Sequence, residues 1–359
     1  MQTAQWMIYG ANGYTGALTA RLAVAEGLRP ILAGRNADAV GALAAELGLD
    51  ARIFDLDDPA AVDAGLAGMT AVLHCAGPFV HTSRPMVDAC LRTGVHYLDI
   101  TGEIGVFEAL AARYDEAKQA GVMLLPGVGF DVVPTDCLAA HLHRRLPTAT
   151  HLVLAFQSTG GVSRGTATTA VEQMGKGDGG MIRRDEQLVS IPAGSLTRTV
   201  DFGHGPRATM AIPWGDVSTA FHSTGIPNIE VYMALPPKLI RLAKLGRWAG
   251  PLLGLGPVQA LLKQRIAAGA PGPSDAARAQ GKVRLWGAAW DDAGHRVESR
   301  MQTPEGYTLT ARASLLIVGK VLAGDAPVGY QTPASAYGAD LVLEVEGVSR
   351  VDVEVSRKS

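Results

Sequence analysis

Nine residues near the start of the chain, Ile8 to Gly16, read I-Y-G-A-N-G-Y-T-G, and they constrain the fold more than any other stretch. An apolar run, Trp6 to Tyr9, leads into three glycines spaced three apart, Gly10, Gly13 and Gly16. The residues that follow carry helical spacing through Leu18 and Leu22, which predicts a helix over Ala17–Glu26. Strand, glycine turn and helix in that order form a phosphate cradle. One glycine makes the turn, one lets the backbone approach a pyrophosphate, and one lets helix and strand pack closely. The helix N-terminus adds N–H groups and the positive end of its dipole. Asn12, Tyr14 and Thr15 fill the turn and are expected to line the phosphates with the three glycines. Glycine is common here, 43 of 359 residues, so spacing alone is a weak signal. Its place at the head of a βαβ unit is what makes it specific.

The rest of the first third alternates strands with helices. Strands are expected at Arg29–Gly34, Ala51–Phe54, Ala71–Cys75, His96–Ile100 and Val122–Leu125. Helices are expected at Asp38–Leu47, Pro59–Ala67, Pro85–Thr93 and Gly105–Ala120. Such alternation predicts an α/β Rossmann domain, a doubly wound parallel sheet, over residues 1–146. After Leu146 the pattern becomes that of half-exposed strands: His151–Gln157, Arg207–Ile212, Val217–His222, Asn228–Leu235 and a hairpin, Lys282–Trp290 with Arg296–Thr303. With a helix at Thr308–Leu322, this predicts a second, α+β domain on a mainly antiparallel sheet over 147–325. A tail, 326–359, is expected to pack back near the junction.

The end of the second strand selects the nucleotide. A site for NAD usually places a carboxylate about 20 residues beyond the glycine turn, where it accepts from the ribose 2′-hydroxyl. Here the position reads Gly34-Arg35-Asn36. A guanidinium matches a 2′-phosphate, and a carboxylate would repel one, so the expected cofactor is NADP(H). Two further loops belong at the same sheet edge. Asp55 is a candidate for the adenine amine, and the small turn Ala76-Gly77-Pro78 for the nicotinamide ribose.

Bulk composition narrows the partners. A formal net charge of −2, with 18% charged and 47% hydrophobic residues, argues against nucleic acid. Three cysteines, Cys75, Cys90 and Cys137, are too few for a disulfide framework and give no metal pattern. With neither a leader pattern nor an apolar span of about 20 residues, the expected location is cytoplasmic. Residues 236–268 stand apart, with Lys238, Arg241, Lys244 and Arg247 ahead of Pro251–Pro257 and a second helix. Lid or oligomer contact, with a homodimer expected, is favoured over weak peripheral contact with a membrane or lipid, because charges three apart segregate poorly.

Five ordered motifs carry a family resemblance: G-A-N-G-Y-T-G, A-G-R-N, C-A-G-P-F, H-Y-L-D-I-T-G-E and P-G-V-G-F-D-V-V-P-T-D. Residues 5 to 146 resemble the saccharopine dehydrogenase-like oxidoreductases, and within them the trans-acting enoyl reductases. Thinner matches follow at Gly160–Thr169, Gly272-Pro273-Ser274 and Thr332-Pro333-Ala334. The resemblance implies a Rossmann domain, NADPH and a second domain, with a small-molecule substrate that does not carry over. Saccharopine-type substrates bear several carboxylates. The cations on offer in the second domain, Arg164, Arg183 and Arg184, are not marked as a cluster, and its small apolar character suits a less charged substrate.

Hydride transfer needs orientation, dryness and a proton source near the nicotinamide. Candidates are Tyr97, Asp99, Thr101 and Glu103 around the fifth strand, with Tyr97, Asp99 and Thr101 on one face, and Asp131 after the sixth; Glu103, Tyr97 and Asp131 are preferred. Glu103 also suits a helix N-terminus, and Thr135 or Asp136 suits the cap of the next helix. His74 and Cys75 read as packed strand residues. The leading expectation is an NADPH-dependent reductase of a C=C or C=N bond on a small or lipid-like substrate. The alternatives are an amino-acid or imine dehydrogenase and a non-catalytic NADP sensor.

Overall fold

A computed structural model describes residues 5–158, 163, 164, 168, 179–246, 256–269 and 272–354. The chain divides into two compact units, Met1–Val133 with Tyr307–Tyr337, and Pro134–Gly306 with Gly338–Ser359. Both units are discontinuous, unlike the consecutive segments 1–146, 147–325 and 326–359. The reason lies in 307–337, which contributes a strand to the first sheet.

The first unit is a seven-stranded sheet. Its strands are β1 (Trp6–Tyr9), β2 (Ile31–Gly34), β3 (Ala51–Ile53), β4 (Ala71–His74), β5 (His96–Asp99), β6 (Met123–Leu125) and β15 (Gly329–Tyr330), in the order β15-β6-β5-β4-β1-β2-β3. Every pair is parallel, with β1 flanked by β2 and β4. This is the doubly wound order in which ligands bind beyond the strands' carboxyl ends. Strand β1, W-M-I-Y, is buried at all four positions, as a strand covered on both faces must be. One core cluster joins Met7, Tyr9, Phe54, Val72, Met86, Tyr97 and Leu124.

The helices of this unit are α1 (Tyr14–Ala25), α2 (Ala37–Leu47), α3 (Pro59–Leu66), α4 (Phe79–Thr93), α5 (Ile104–Ala111) and α6 (Tyr114–Ala120), with α12 (Gly306–Leu322) returning late in the chain. Two expectations need correction. The stretch Gly105–Ala120 is two helices, broken at Ala112-Arg113. Helix α4 starts at Phe79, not at Pro85, and carries that proline inside it. Proline inside a helix usually breaks it; here Glu103, from another loop, caps the earlier start.

The second unit is built on a mixed sheet. It contains β7 (His151–Ser158), β10 (Thr197–Asp201), β11 (Pro206–Ala211), β12 (Asn228–Ala234), β13 (Lys282–Trp290), β14 (Arg296–Pro304) and β16 (Ser349–Val353), in the order β10-β11-β12-β7-β13-β14-β16. Only β7 and β12 run parallel along that path. A hairpin, β8 (Gly180–Arg184) with β9 (Gln187–Ile191), pairs onto β12. Its turn uses Asp185 and Glu186 at positive φ, so the glycine or asparagine that normally signals such a turn is missing from the sequence. Val153, Ala155, Phe202, Tyr232 and Trp286 pack on one face. Helix α7 (Val133–Arg145) packs so closely on the sheet that a Cβ at Gly287 would lie 2.7 Å from Leu142 Cδ1.

The expected strand Val217–His222 is a helix, α8 (Asp216–Thr224), closed by Gly225 at φ 71°. It is buried nearly all round at its N-terminal end, which erases the one-sided periodicity that would have revealed it. Thr135 and Asp136 lie inside α7, not at its cap, and Asp136 accepts from Ser223 Oγ of α8.

Among its described residues the unit also holds α9 (Pro237–Gly246), α10 (Gly256–Ala268), α11 (Asp275–Gln280) and a 3-10 turn, Leu341–Glu344. Arg247 and most of the expected Pro251–Pro257 hairpin lie outside the described residues, as does most of the Gly160–Thr169 motif. Among the described residues no helix is long and apolar enough to cross a membrane. A short helix, α13 (Pro333–Tyr337), follows β15 in the first unit.

Candidate active site

The glycine turn is fixed by contact rather than by preference. Gly10 sits at φ +79°, and a Cβ there would lie 2.7 Å from Ala76 N. A Cβ on Gly16 would land on the Gly10 carbonyl oxygen, and one on Gly13 would lie 3.2 Å from the same oxygen. Backbone bonds tie the turn to the sheet: Gly10 N and Ala11 N both donate to Ala33 O, at 2.8 and 3.1 Å, and Gly13 N donates to Gly10 O at 3.0 Å. Gly13 is the N-cap of α1, and no side chain caps that helix. Helix α1 therefore starts three residues earlier than its periodicity suggested. A backbone this close, ending in a helix start with no side-chain cap, fits a pyrophosphate.

The other expected cofactor residues surround this turn. Asn12 is exposed, and its Oδ1 lies 3.4 Å from where a Gly34 Cβ would be. Tyr14 meets Tyr307 edge-on at 5.0 Å. The Thr15 carbonyl accepts from Thr19 Oγ1 at 2.9 Å. Arg35 is exposed immediately after β2, with no carboxylate at the strand end. Asn36 Oδ1 accepts from Ala39 N at 3.0 Å and so caps α2. Asp55 is exposed and accepts from Asp57 N at 3.2 Å, while Asp58 caps α3 through Ala60 N and Ala61 N.

The turn after β4 packs against the glycine turn through Ala76, as the Gly10 contact requires. The Gly77–Pro78 peptide is cis. Thr82 Oγ1 lies 2.7 Å from Ala76 O, 3.2 Å from Pro78 O and 3.0 Å from His74 Nε2. His74 is fully buried, and burial drives its pKa down to about 3, so the ring is neutral. Sequence reading placed His74 correctly as a packed strand residue but gave no sign of its tie to this loop.

The three candidate acids have separate fates. Tyr97 is fully buried and donates to Asp99 Oδ2 at 2.7 Å. Burial and the Asp99 charge hold its hydroxyl well above the usual phenol range. Asp99, expected on the same strand face as Tyr97, is tied up in the same way. Its Oδ1 accepts from Thr101 N and Gly127 N, both at 2.9 Å, so it ties the loops after β5 and β6 together. Burial lifts its pKa to about 6. Glu103 accepts from Phe79 N at 2.9 Å and from Val80 N at 2.7 Å, which caps α4. Its side chain thus serves the start of α4; Glu103 also holds the N-cap position of α5 but makes no side-chain cap bond there.

Asp131 is half-buried, and its carboxyl has no hydrogen-bond partner among the described residues. It sits against the bare Cα of Gly102, where a Cβ would lie 2.8 Å from Asp131 Oδ2. Burial first, and the Glu103 charge second, raise its pKa to about 7. The loop that carries it is held from far along the chain. Phe130 N donates to Thr310 Oγ1 at 3.0 Å, and Ser314 Oγ donates to Val128 O at 3.2 Å, both residues on α12. No group of histidine, cysteine and acidic residues suited to a metal ion occurs among the described residues.

Fold and site define a dinucleotide-binding α/β protein with a second, mixed-sheet unit. Residues 6–125 match the family described as the saccharopine dehydrogenase NADP binding domain. It is 34% identical over 148 residues to a trans-acting enoyl reductase of Mycobacterium leprae (strain TN), 39% of this chain and 35% of that protein. It is 28% identical over 152 residues to a saccharopine dehydrogenase-like oxidoreductase of Bos taurus, 36% of this chain and 35% of that one. The matches thus span about a third of the length of these relatives. An apo saccharopine dehydrogenase (L-Glu forming) from Saccharomyces cerevisiae shares the fold over 98% of this chain and 100% of its own, with TM-score 0.68 and 12% identity.

Proposed function

We propose that the protein is an NADPH-dependent reductase that adds hydride and a proton across a C=C bond of a small or lipid-like substrate. The observation that carries this reading is the glycine cradle with Arg35, in place of a carboxylate, at the end of β2. Gly10, Gly13 and Gly16 would hold the pyrophosphate, with Asn12, Tyr14 and Thr15 beside it. Arg35 would meet the 2′-phosphate, with Asn36 and Asp55 at the adenosine end. Ala76-Gly77-Pro78 would approach the nicotinamide ribose. The bound cofactor supplies the hydride; the chain's own task is to orient the substrate, exclude water and deliver a proton.

Asp131 is the group we assign to the proton. Tyr97 is sealed against Asp99, and both Glu103 oxygens are engaged at the start of α4. A carboxyl with a pKa near 7 is half protonated at neutral pH, which suits a general acid. The C=C reading is favoured over reduction of a polycarboxylate imine by the state of the second unit's arginines. Arg183 donates to Val217 O and Glu186 O and lies over the Phe221 ring, and Arg164 donates to Gly269 O. NADPH consumption with a panel of enoyl thioesters, enones, imines and keto acids tests the reading. Oxidation with an α,β-unsaturated carbonyl is expected. Tight NADPH binding with no turnover across the panel would favour the sensor reading instead.

A further inference from the structure

We propose that His74 and Thr82 form a positioning pair that sets the Ala76-Gly77-Pro78 loop for the nicotinamide half of the cofactor. The inference rests on the cofactor reading above and extends it to residues that have no direct contact with the ligand.

Thr82 has a single hydroxyl proton to give. A threonine hydroxyl donates one hydrogen bond and accepts others. Thr82 Oγ1 lies 2.7 Å from Ala76 O and 3.2 Å from Pro78 O, two carbonyls that can only accept. Its proton is therefore directed to the loop, most closely to Ala76 O. The remaining contact, His74 Nε2 at 3.0 Å, must then be a donor. This fixes the imidazole as the Nε2–H tautomer, with Nδ1 bare. Nδ1 is indeed buried without a partner among the described residues, which suits a ring that stays neutral.

The surroundings hold that ring still. Tyr9, Phe79 and Tyr97 lie around it with centroids at 5.5, 5.4 and 6.2 Å. His74 ends β4, in register with Tyr9 of β1 on one side and Asp99 of β5 on the other. The relay thus runs from a strand locked in the sheet, through a hydroxyl on α4, to the carbonyl of Ala76. Ala76 in turn is the residue that a Cβ at Gly10 would strike. A shift in this loop moves the wall beside the glycine turn, on the side away from Arg35 and β2.

The pair is separable from a general packing role because the ligand has two ends. Binding of NADPH and of adenosine 2′,5′-bisphosphate, which lacks the nicotinamide half, is measured by calorimetry on the full chain. Thr82→Val keeps the branched shape and removes the donor. It should weaken NADPH roughly tenfold, the scale of one lost hydrogen bond, and leave the bisphosphate unchanged. Thr82→Ser should restore NADPH binding. His74→Leu should match Thr82→Val, and the double variant should lose no more than either alone. If Thr82→Val folds poorly, the His74→Gln variant, which retains an amide donor, is compared with His74→Leu in the same two assays. Equal loss of both ligands, or none, would overturn the pair. Failure of the unaltered protein to bind either ligand would remove the cofactor reading and the pair with it.

Discussion

The turn Gly10–Gly16 and the loops after β5 and β6 share one edge of one sheet, yet they are held in different ways. The turn is determined by its own backbone, because three of its positions leave little or no room for a Cβ. The loops around Asp99, Glu103 and Asp131 are determined by side chains from elsewhere: Tyr97, the start of α4, and Thr310 and Ser314 of α12. The same contrast appears at two helix starts. Helix α1 has no side-chain cap, whereas α4 receives a carboxylate from another loop. A helix start without such a cap is suited to an incoming anion, and one already bound to Glu103 is not.

Substitutions at four positions sharpen the contrast. The largest effect is expected at Gly10. Valine there combines a disfavoured φ with a clash against Ala76, costing roughly 3 kcal/mol or more. Denaturant unfolding should show that loss, together with the loss of NADPH binding. A near-normal unfolding midpoint would break the claim that backbone sterics set the turn.

Asp131→Asn comes next. Loss of a general acid should lower kcat roughly 10²- to 10⁴-fold while leaving NADPH affinity intact. In the unaltered protein kcat should be level at acid pH and fall above about pH 7, as the carboxyl loses its proton. Stability follows the same group. Its folded-state pKa lies above the unfolded value of about 3.9, so its favourable contribution is complete below pH 4 and is lost as pH rises through about 7. The melting temperature of Asp131→Asn should therefore gain on the unaltered protein from pH 4 to pH 8. A constant difference would show that Asp131 does not titrate there.

Glu103→Ala should cost about 1–2 kcal/mol, the range of a lost helix cap. Glu103→Gln, which keeps one acceptor, should cost less. It should also move the kcat profile to lower pH, because the Glu103 charge helps to raise Asp131. An unmoved profile would separate the two residues. The smallest effect on stability is expected at Arg35, where an exposed guanidinium contributes to one ligand and little to the fold.

The sequence made the glycine turn readable because local sterics demand glycine there and no distant residue is involved. The seven-stranded sheet was readable to within a strand for the same reason: apolar runs such as W-M-I-Y and A-V-L-H are buried on both faces. The strand β15 was not, since two residues, Gly329 and Tyr330, carry no periodicity. Helix α8 was misread as a strand because its burial is nearly uniform. Arg35 and Asp131 could be singled out by position, but the engagement of Glu103 with α4 could not. It depends on a contact between residues 23 and 24 apart, and on a helix start hidden by Pro85. Likewise nothing local to Phe130 announces Thr310, which lies 180 residues away.

The central claim is that the cradle on α1 and the exposed guanidinium after β2 together form an NADP(H) site. Titration of the unaltered protein and of Arg35→Ala with NADPH and NADH tests it most directly. The account predicts a clear preference for NADPH that falls about ten- to hundredfold in the variant, the scale of charge-assisted bonds to a phosphate, while NADH affinity stays the same. Equal losses for the two nucleotides, or no initial preference, would contradict it.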